Sequence, residues 1–187
     1  MTKWLSHRMV ERGIIKEEEQ ELYQFGIRNG MILLLNVVTA LVIGLLTEQL
    51  AVVAVFTLSF MVLRSYTGGY HSDSRIFCYL GSNLVLLVPV YTQAVFYKTS
   101  LAWLLAVLLV SAGIIFLLSP MHSKNRKLDK EEQKHFGRKA RLIAALELAV
   151  LGILWHAGQI PYAYAVYTGI CITALFMLVG KAQLWIQ

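Results

Sequence analysis

Six long apolar segments, separated by short polar stretches, constrain this chain more than any other feature of its sequence. A helix needs about 20 residues to cross a hydrocarbon core of about 30 Å. Backbone polar groups in lipid must be satisfied within the protein, so such segments are expected to be helical. The sequence therefore predicts an all-α integral membrane protein with about six transmembrane helices. The segments are Asn29–Thr47, Leu50–Val62, Ile76–Tyr97, Leu101–Ser119, Leu142–His156 and Tyr162–Val179.

The second segment, Leu50–Val62, is short for a membrane span. We expect it either to continue past Arg64, whose side chain can reach the interface, or to be accommodated by tilt or local thinning of the bilayer.

Composition also favours a membrane protein: 57% of the residues are hydrophobic and 15% are charged, against about 45–50% and 25% in soluble domains. The net charge of +6 does not indicate a nucleic-acid partner, because the basic residues lie in the polar stretches between apolar segments. The two cysteines, Cys78 and Cys171, lie in different apolar segments. We expect no disulfide framework, and a free thiol at Cys78.

Loop charge predicts the orientation. If both termini are cytoplasmic, the inside stretches carry sixteen basic residues and the outside stretches carry only Lys98. Positive charge is enriched in cytoplasmic loops. Both Arg64–Arg75 and Pro120–Arg141 are therefore expected at the cytoplasmic face of a multi-pass protein.

The first 28 residues are polar and contain no uninterrupted apolar core of a cleavable signal. Apolar residues such as Trp4, Met9 and Ile14 are spaced so that a helix could lie along the membrane surface. We predict one domain over residues 1–187, with an amphipathic cytoplasmic segment at 1–28 and a transmembrane bundle at 29–187.

The polar segment that begins at Arg64 holds a potential nucleophile, Cys78, and a potential general base, His71. On a straight helix these two would share a face but lie about 10.5 Å apart along the axis, too far for a sulfur–imidazole hydrogen bond. A working pair therefore requires a break in the helix. Gly68 and Gly69 permit a sharp turn before His71.

A new helix is expected to start after this turn and to run through Cys78. Ser72, Asp73 or Ser74 can cap it. The N-terminus of a helix and a neighbouring imidazolium both favour the thiolate form of cysteine. Free backbone N–H groups at the same helix start could stabilise an oxyanion.

Two other interpretations remain open. A metal-dependent hydrolase would use His71 and Cys78 together with His122 or His135, although the chain has no H-E-x-x-H or C-x-x-C element. A transporter of small molecules or peptides would show internal symmetry and interrupted spans, and neither is evident in the sequence.

The sequence G-Y-H-S-D-S-R-I-F-C from Gly69 to Cys78, with Arg64 before it and S-P-M-H-S-K-N-R-K-L from Ser119 to Leu128, resembles the accessory gene regulator protein B (AgrB) family. Chain length, the polar N-terminus and the apolar pattern agree with the same family. The resemblance implies a cysteine endopeptidase of the bacterial plasma membrane in quorum sensing, with its active site toward the cytoplasm.

By this resemblance Cys78 is the nucleophile and His71 the base, with no metal and no cofactor. Arg64, Gly69 and Ser74 match positions that support activity or bind substrate, and Asp73 is either an orienting carboxylate or a helix cap. The implied partner is an AgrD-like precursor of a cyclic autoinducing peptide, with an amphipathic leader and an acidic tail. Membrane lipid and a homodimer are the other expected partners.

Two intramembrane side chains lie outside this motif. Glu147 is expected about 9 Å deeper than Arg141 on one helix, in a structural ion pair with Arg28 or a loop lysine rather than in catalysis. Cys171 is expected to be an apolar packing residue.

Overall fold

The computed structural model describes residues 2–69, 75–121 and 129–185, and within these ranges every regular element is helical. The predicted all-α class is therefore confirmed for the described residues. The helices are α1 Thr2–Glu11, α2 Gln20–Leu46, α3 Leu50–Thr67, α4 Arg75–Tyr91, α5 Gln93–Lys98, α6 Leu101–Leu118, α7 Lys130–His156 and α8 Ile160–Trp185, with a 3₁₀ turn at Glu17–Glu19 before α2.

The chain forms two compact units, an N-terminal unit, Met1–Thr39, and a main unit, Ala40–Gln187. In the N-terminal unit α1 ends in a Schellman motif, where Gly13 has a φ of +66°. Gly13 N–H donates to the Val10 carbonyl and Ile14 N–H donates to the Met9 carbonyl, both at 2.9 Å. These bonds satisfy carbonyls that the end of a helix leaves without partners. A helix thus forms where we predicted one, while its attachment to the membrane surface stays a prediction.

Four of the described helices are long and apolar enough to cross a membrane: residues 17–46 with α2, then α3, α6 and α8. The predicted continuation of the second segment past Arg64 is confirmed, because α3 reaches Thr67. A total of six spans would require α4 and α7 to cross the membrane as well. These two helices do not combine the length and apolar character of the other four, so six spans stay a prediction.

The predicted third span, Ile76–Tyr97, is divided in two at Thr92, between α4 and α5. Proline at position 89 removes one backbone donor from α4, and its ring crowds the carbonyl four residues earlier. Thr92 then closes the helix, because its hydroxyl donates to the Val88 carbonyl at 2.6 Å and also hydrogen-bonds the Tyr164 hydroxyl. The prediction of one continuous helix was wrong for this local reason.

Helix α7 begins twelve residues before the predicted apolar segment at Leu142, so a charged half and an apolar half form one helix. Asp129 caps it: its carboxylate accepts from Glu132 N–H at 2.8 Å, and Glu132 accepts from Asp129 N–H at 3.4 Å. This reciprocal capping box, with Glu131 also in the first turn, stabilises a helix start within polar sequence.

Helix α8 lies at the centre of the main unit and packs against α3, α6 and α7. Two-thirds of the most apolar part of α8 is buried within the protein, whereas only 11% of the corresponding part of α6 is buried. Small residues line its buried surface, including Ala163, Ala165 and Ala174. In lipid the hydrophobic effect does not hold helices together, so small residues that allow close packing account for this central position.

Candidate active site

The described ends of the two predicted cytoplasmic segments meet in the main unit. Met121 N–H donates to the Thr67 carbonyl at 2.9 Å, so the residue that ends α3 is bonded to the segment after α6. Gly68 has a φ of +73°, and a β-carbon there would lie 2.7 Å from the Met121 carbonyl oxygen. Only glycine combines this backbone conformation with this close approach. The described parts of the two segments thus lie at the same end of the main unit, as expected, while the assignment of that end to the cytoplasm stays a prediction.

Arg64 and Gly69 lie in contact. Gly69 has a φ of +125°, and a β-carbon on it would lie 3.0 Å from Arg64 Nη1 and 3.2 Å from the Phe176 carbonyl oxygen. The Arg64 guanidinium lies 4.7 Å from the Phe176 ring centroid and 5.9 Å from that of Phe60. Contact with an aromatic face holds a cation in one orientation. Two residues that the sequence matched independently to the family motif therefore form one cluster with α8.

The first half of α7 packs beside this cluster. The Tyr66 and Phe136 rings lie 6.2 Å apart, and Lys139 Nζ lies 5.8 Å from the Tyr66 ring centroid. A β-carbon at Gly137 would lie 3.0 Å from Pro120 Cδ, so glycine lets α7 approach the turn after α6. We call this region, formed by residues 64–69, 119–121 and 136–139 with Phe176, the Gly68 end of the main unit. Basic side chains of α7 thus lie on the same end as Arg64.

Of the other four predicted site residues, the structure describes the backbone of one and leaves three outside the described residues. The backbone of Cys78 lies in the first turn of α4, which begins at Arg75, so the predicted helix through Cys78 is confirmed. His71, Asp73 and Ser74 lie outside the described residues. The pairing of His71 with Cys78 and the identity of the helix cap therefore stay predictions.

A buried polar contact lies deeper in the bundle. Ser59 on α3 donates to the Glu147 carboxylate on α7 at 2.8 Å. A β-carbon at Gly169 would lie 2.6 Å from Ser59 Oγ, so α8 approaches at the same point. Among the described residues the recorded partner of Glu147 is thus a neutral hydroxyl, not the cation that the sequence led us to expect.

Cys171 is half-buried on α8, with its thiol within hydrogen-bonding range of Ser111 and Tyr167. Its packing position agrees with the prediction, although its neighbours include hydroxyl groups. Within residues 2–69, 75–121 and 129–185, no group of three or more His, Cys, Asp and Glu side chains could hold a metal ion. The metal alternative needs His71 and Cys78 together with His122 or His135. Because the side chains of His71, Cys78 and His122 lie outside the described part of the chain, this alternative stays a hypothesis.

Sequence reasoning missed two parts of this arrangement. In the sequence Phe176 is one of many apolar residues in its segment, and nothing there links it to Arg64. Ser59 likewise carries no signal, because serine in an apolar helix usually bonds its own backbone. The Gly68–Gly69 pair did carry a signal, since adjacent glycines indicate either a turn or a close contact.

Long apolar helices and two polar segments that meet at one end define an α-helical membrane protein. The comparisons with known proteins give this class a family. A family model described as Accessory gene regulator B matches residues 1–178. The chain belongs to the AgrB family.

Individual relatives agree with this assignment. An accessory gene regulator protein B of Staphylococcus intermedius is 26% identical over 156 residues, which cover 81% of this chain and 80% of the relative. A protein named AgrB-like from Clostridium perfringens SM101 is 23% identical over 76% of this chain and 69% of its own length. AgrB-like protein 2 of C. perfringens strain 13 is 24% identical over 67% of this chain and 61% of its own length. No solved structure matches the chain at a significant level.

Proposed function

We propose that this protein is a membrane cysteine endopeptidase that removes the C-terminal tail of a quorum-sensing peptide precursor and closes the remaining peptide into a ring. Family membership over residues 1–178 supports the processing role. The observation that carries the proposal further is the contact between Arg64 and Gly69 beside the Met121 segment. It brings the two parts of the sequence that resemble the family motif to one place at the end of α3, and α3 packs against α4, the helix that contains Cys78.

In the first step the Cys78 thiolate attacks the carbonyl carbon of the peptide bond that precedes the tail. His71 holds the proton taken from the thiol and delivers it to the nitrogen of the leaving tail. The C–N bond breaks, the tail departs with a new amino terminus, and the leader and ring segments remain on Cys78 as a thioester.

In the second step a Cys or Ser side chain within the bound peptide attacks the thioester carbonyl. Its proton passes to His71, the C–S bond to Cys78 breaks, and a thiolactone or lactone forms. Thiol-to-thiol acyl transfer exchanges one thioester for a similar one, so the acyl group stays activated until the ring closes. Because water would hydrolyse the same thioester, a site at the membrane edge that limits water access suits this reaction.

Positive charge at the Gly68 end suits an acidic tail. The Arg64 guanidinium lies there against the Phe176 ring, and Lys139 lies against Tyr66. We propose that these cations hold the tail while the scissile bond lies near Cys78, and that Gly69 leaves room for Arg64 to do so. Asp73 and Ser74 are proposed to orient His71 or to cap α4.

The proposed membrane arrangement has six spans, with the apolar part of α7 and the α4–α5 pair completing the four long apolar helices. Both termini and the Gly68 end face the cytoplasm of a bacterial cell, and the protein works as a homodimer on an AgrD-like precursor.

The first prediction concerns the nucleophile. Replacing Cys78 by Ala should lower tail release by roughly 10⁴-fold or more, because no covalent intermediate can form. The measurement is mass spectrometry of a precursor incubated with the protein in membranes. A trapped intermediate should appear on the peptide that contains Cys78, with the mass of the precursor lacking its tail, and hydroxylamine should release it.

Cys171→Ala is the matched control, because it removes the other cysteine, which lies on α8. This variant should process the precursor at the parent rate. Tail release that survives Cys78→Ala, or that is stopped by a chelator and not by a thiol alkylator, would overturn the cysteine mechanism.

A further inference from the structure

The main unit contains a cavity of about 270 Å³ near the aromatic cluster around Phe96. It lies where α5 ends, α6 and α8 begin and α7 ends. Its walls are mostly aliphatic and aromatic, and include Leu101, Leu105, Leu108, Leu151, Trp155 and Ala163, with His156 as a polar exception. Nothing in the chemistry proposed for Cys78 uses this cavity.

The cavity opens toward the surroundings of the bundle. Leu101 is 54% exposed, Leu105 48% and Trp155 37%, whereas Ala163 at its base is 1% exposed. The neighbouring surface of α6 is apolar as well, with Leu109 71% exposed. On a helix long and apolar enough to cross a membrane, such a surface faces hydrocarbon. The medium at the mouth of the cavity is therefore acyl chain.

One cation lies close to the cavity along the chain. Lys98 ends α5, is exposed, and lies between the cavity residues Phe96 and Leu101 in the chain. Among the described residues no acidic partner of Lys98 is recorded. Tyr97 precedes Lys98 in the chain and Trp155 lines the cavity, and both are exposed. Exposed aromatic rings together with lysine are typical of the headgroup region, where basic side chains bind lipid phosphate.

We infer that this cavity is a phospholipid site, with one acyl chain between α6 and α7 and the phosphate at Lys98. An apolar wall, an opening into hydrocarbon and one adjacent cation match the two parts of such a lipid. A polar ligand does not fit, because the walls offer it few hydrogen-bond partners.

Gly152 provides a direct way to fill the site. It lines the cavity, and a β-carbon placed on it meets no atom within 4 Å. The β-carbon of Gly152→Leu would therefore meet no protein atom, and its side chain is expected to occupy part of the space that we assign to the acyl chain. Gly113 on α6 is the matched control, because its β-carbon also meets no atom within 4 Å and it does not line the cavity.

The experiment uses the full chain in phosphatidylglycerol vesicles whose acyl chains are brominated, since bromine quenches a tryptophan that it contacts. One reporter keeps only Trp155, which lines the cavity, and a second keeps only Trp103, which is 66% exposed and does not. Gly152→Leu should reduce the quenching of Trp155 by about half or more, because leucine takes the place of the chain. It should leave Trp103 unchanged, and Gly113→Leu should change neither reporter.

Native mass spectrometry gives a second measurement. The parent should retain one phosphatidylglycerol after detergent exchange, and Gly152→Leu should lose it. Lys98→Gln, at an exposed position where folding is not at risk, should weaken retention as well. Equal quenching of Trp155 in the parent and in Gly152→Leu would mean that only bulk lipid contacts it, and would overturn the site. A change in oligomer mass caused by Gly152→Leu would assign the cavity to a second copy and would overturn it too.

Discussion

Two adjacent glycines show how single residues shape the candidate active site. Gly68 and Gly69 both have positive φ angles, and each leaves a space that a β-carbon would fill. The space at Gly68 holds the Met121 carbonyl, and the space at Gly69 holds the Arg64 guanidinium. Their role is therefore twofold. Their positive φ angles let the backbone leave the helical conformation after Thr67, and their missing β-carbons leave room for the Met121 carbonyl and the Arg64 guanidinium.

Gly69→Ala should reduce both stability and tail release. The substitution forces an unfavourable φ, at a cost of about 1–3 kcal/mol, and displaces Arg64 or the end of α8. We expect a lower midpoint of thermal unfolding in detergent and at least about tenfold slower processing, since small displacements at a catalytic site are costly.

Gly113→Ala serves as the control, because its β-carbon meets no atom within 4 Å and it lies within α6. It should leave both measurements near the parent values. Parent-like processing by Gly69→Ala would contradict the role of Gly69 in holding Arg64.

At the scale of helices, one polar contact fixes α3 against α7 where the surrounding contacts are apolar. The Ser59–Glu147 hydrogen bond crosses between the two helices, and Gly169 lets α8 pack over it. In lipid the hydrophobic effect does not favour one register of two helices over another, whereas a hydrogen bond between them is made in only one register. Because α3 carries Arg64 five residues after Ser59, this register also sets the position of the Gly68 end.

A double-mutant cycle tests the contact. Ser59→Ala and Glu147→Leu should each destabilise the protein, and their coupling should be about 0.5–2 kcal/mol. The measurement is the free energy of unfolding from denaturant titration in mixed micelles.

Thr57→Val is the matched control, because Thr57 donates to the Val53 carbonyl within α3 at 2.7 Å. The destabilisation caused by Thr57→Val should simply add to that caused by Glu147→Leu, with no coupling between them. A coupling of zero between Ser59 and Glu147 would show that the contact contributes nothing to helix register.

At the scale of the whole molecule, the distribution of charge predicts which end of the bundle faces the cytoplasm. Lys139 and Arg141 belong to α7 near the Gly68 end, and the Arg141 guanidinium donates to the Phe116 carbonyl at 3.2 Å, near the end of α6. The opposite end carries Lys98 as its basic residue among the described parts of the main unit. The difference predicts a cytoplasmic Gly68 end.

Cysteine labelling tests this topology. In a Cys78→Ala, Cys171→Ala background, single cysteines replace Lys98, Gln159 or Lys134, all of which are exposed. A membrane-impermeant maleimide added to intact cells should label positions 98 and 159 and leave position 134 unlabelled until the membrane is opened. Labelling of position 134 in intact cells would reverse the orientation.

The sequence alone predicted the helical class, the approximate helices and the location of the two polar segments at the same end of the bundle. It could do so because apolar length, loop charge and paired glycines are local signals. It placed Arg64 and Gly69 in one site, but it could not supply Phe176 or Ser59, which have no such signal. It also placed one span across Thr92, where Pro89 and a threonine hydroxyl end the helix.

Only the tertiary structure decided which helix lies at the centre and which surfaces face outward. Helices α6 and α8 are apolar around their whole circumference, so their sequences contain no stripe that distinguishes the buried face from the lipid-facing one. A surface helix of a soluble protein would carry such a stripe, because its outer face meets water. In hydrocarbon both faces of a helix can be apolar. Close packing of small residues against neighbouring helices then determines which face is buried. In this packing Phe176 of α8 contacts Arg64, Ser59 hydrogen-bonds Glu147, and a cavity remains between the end of α5 and the start of α6.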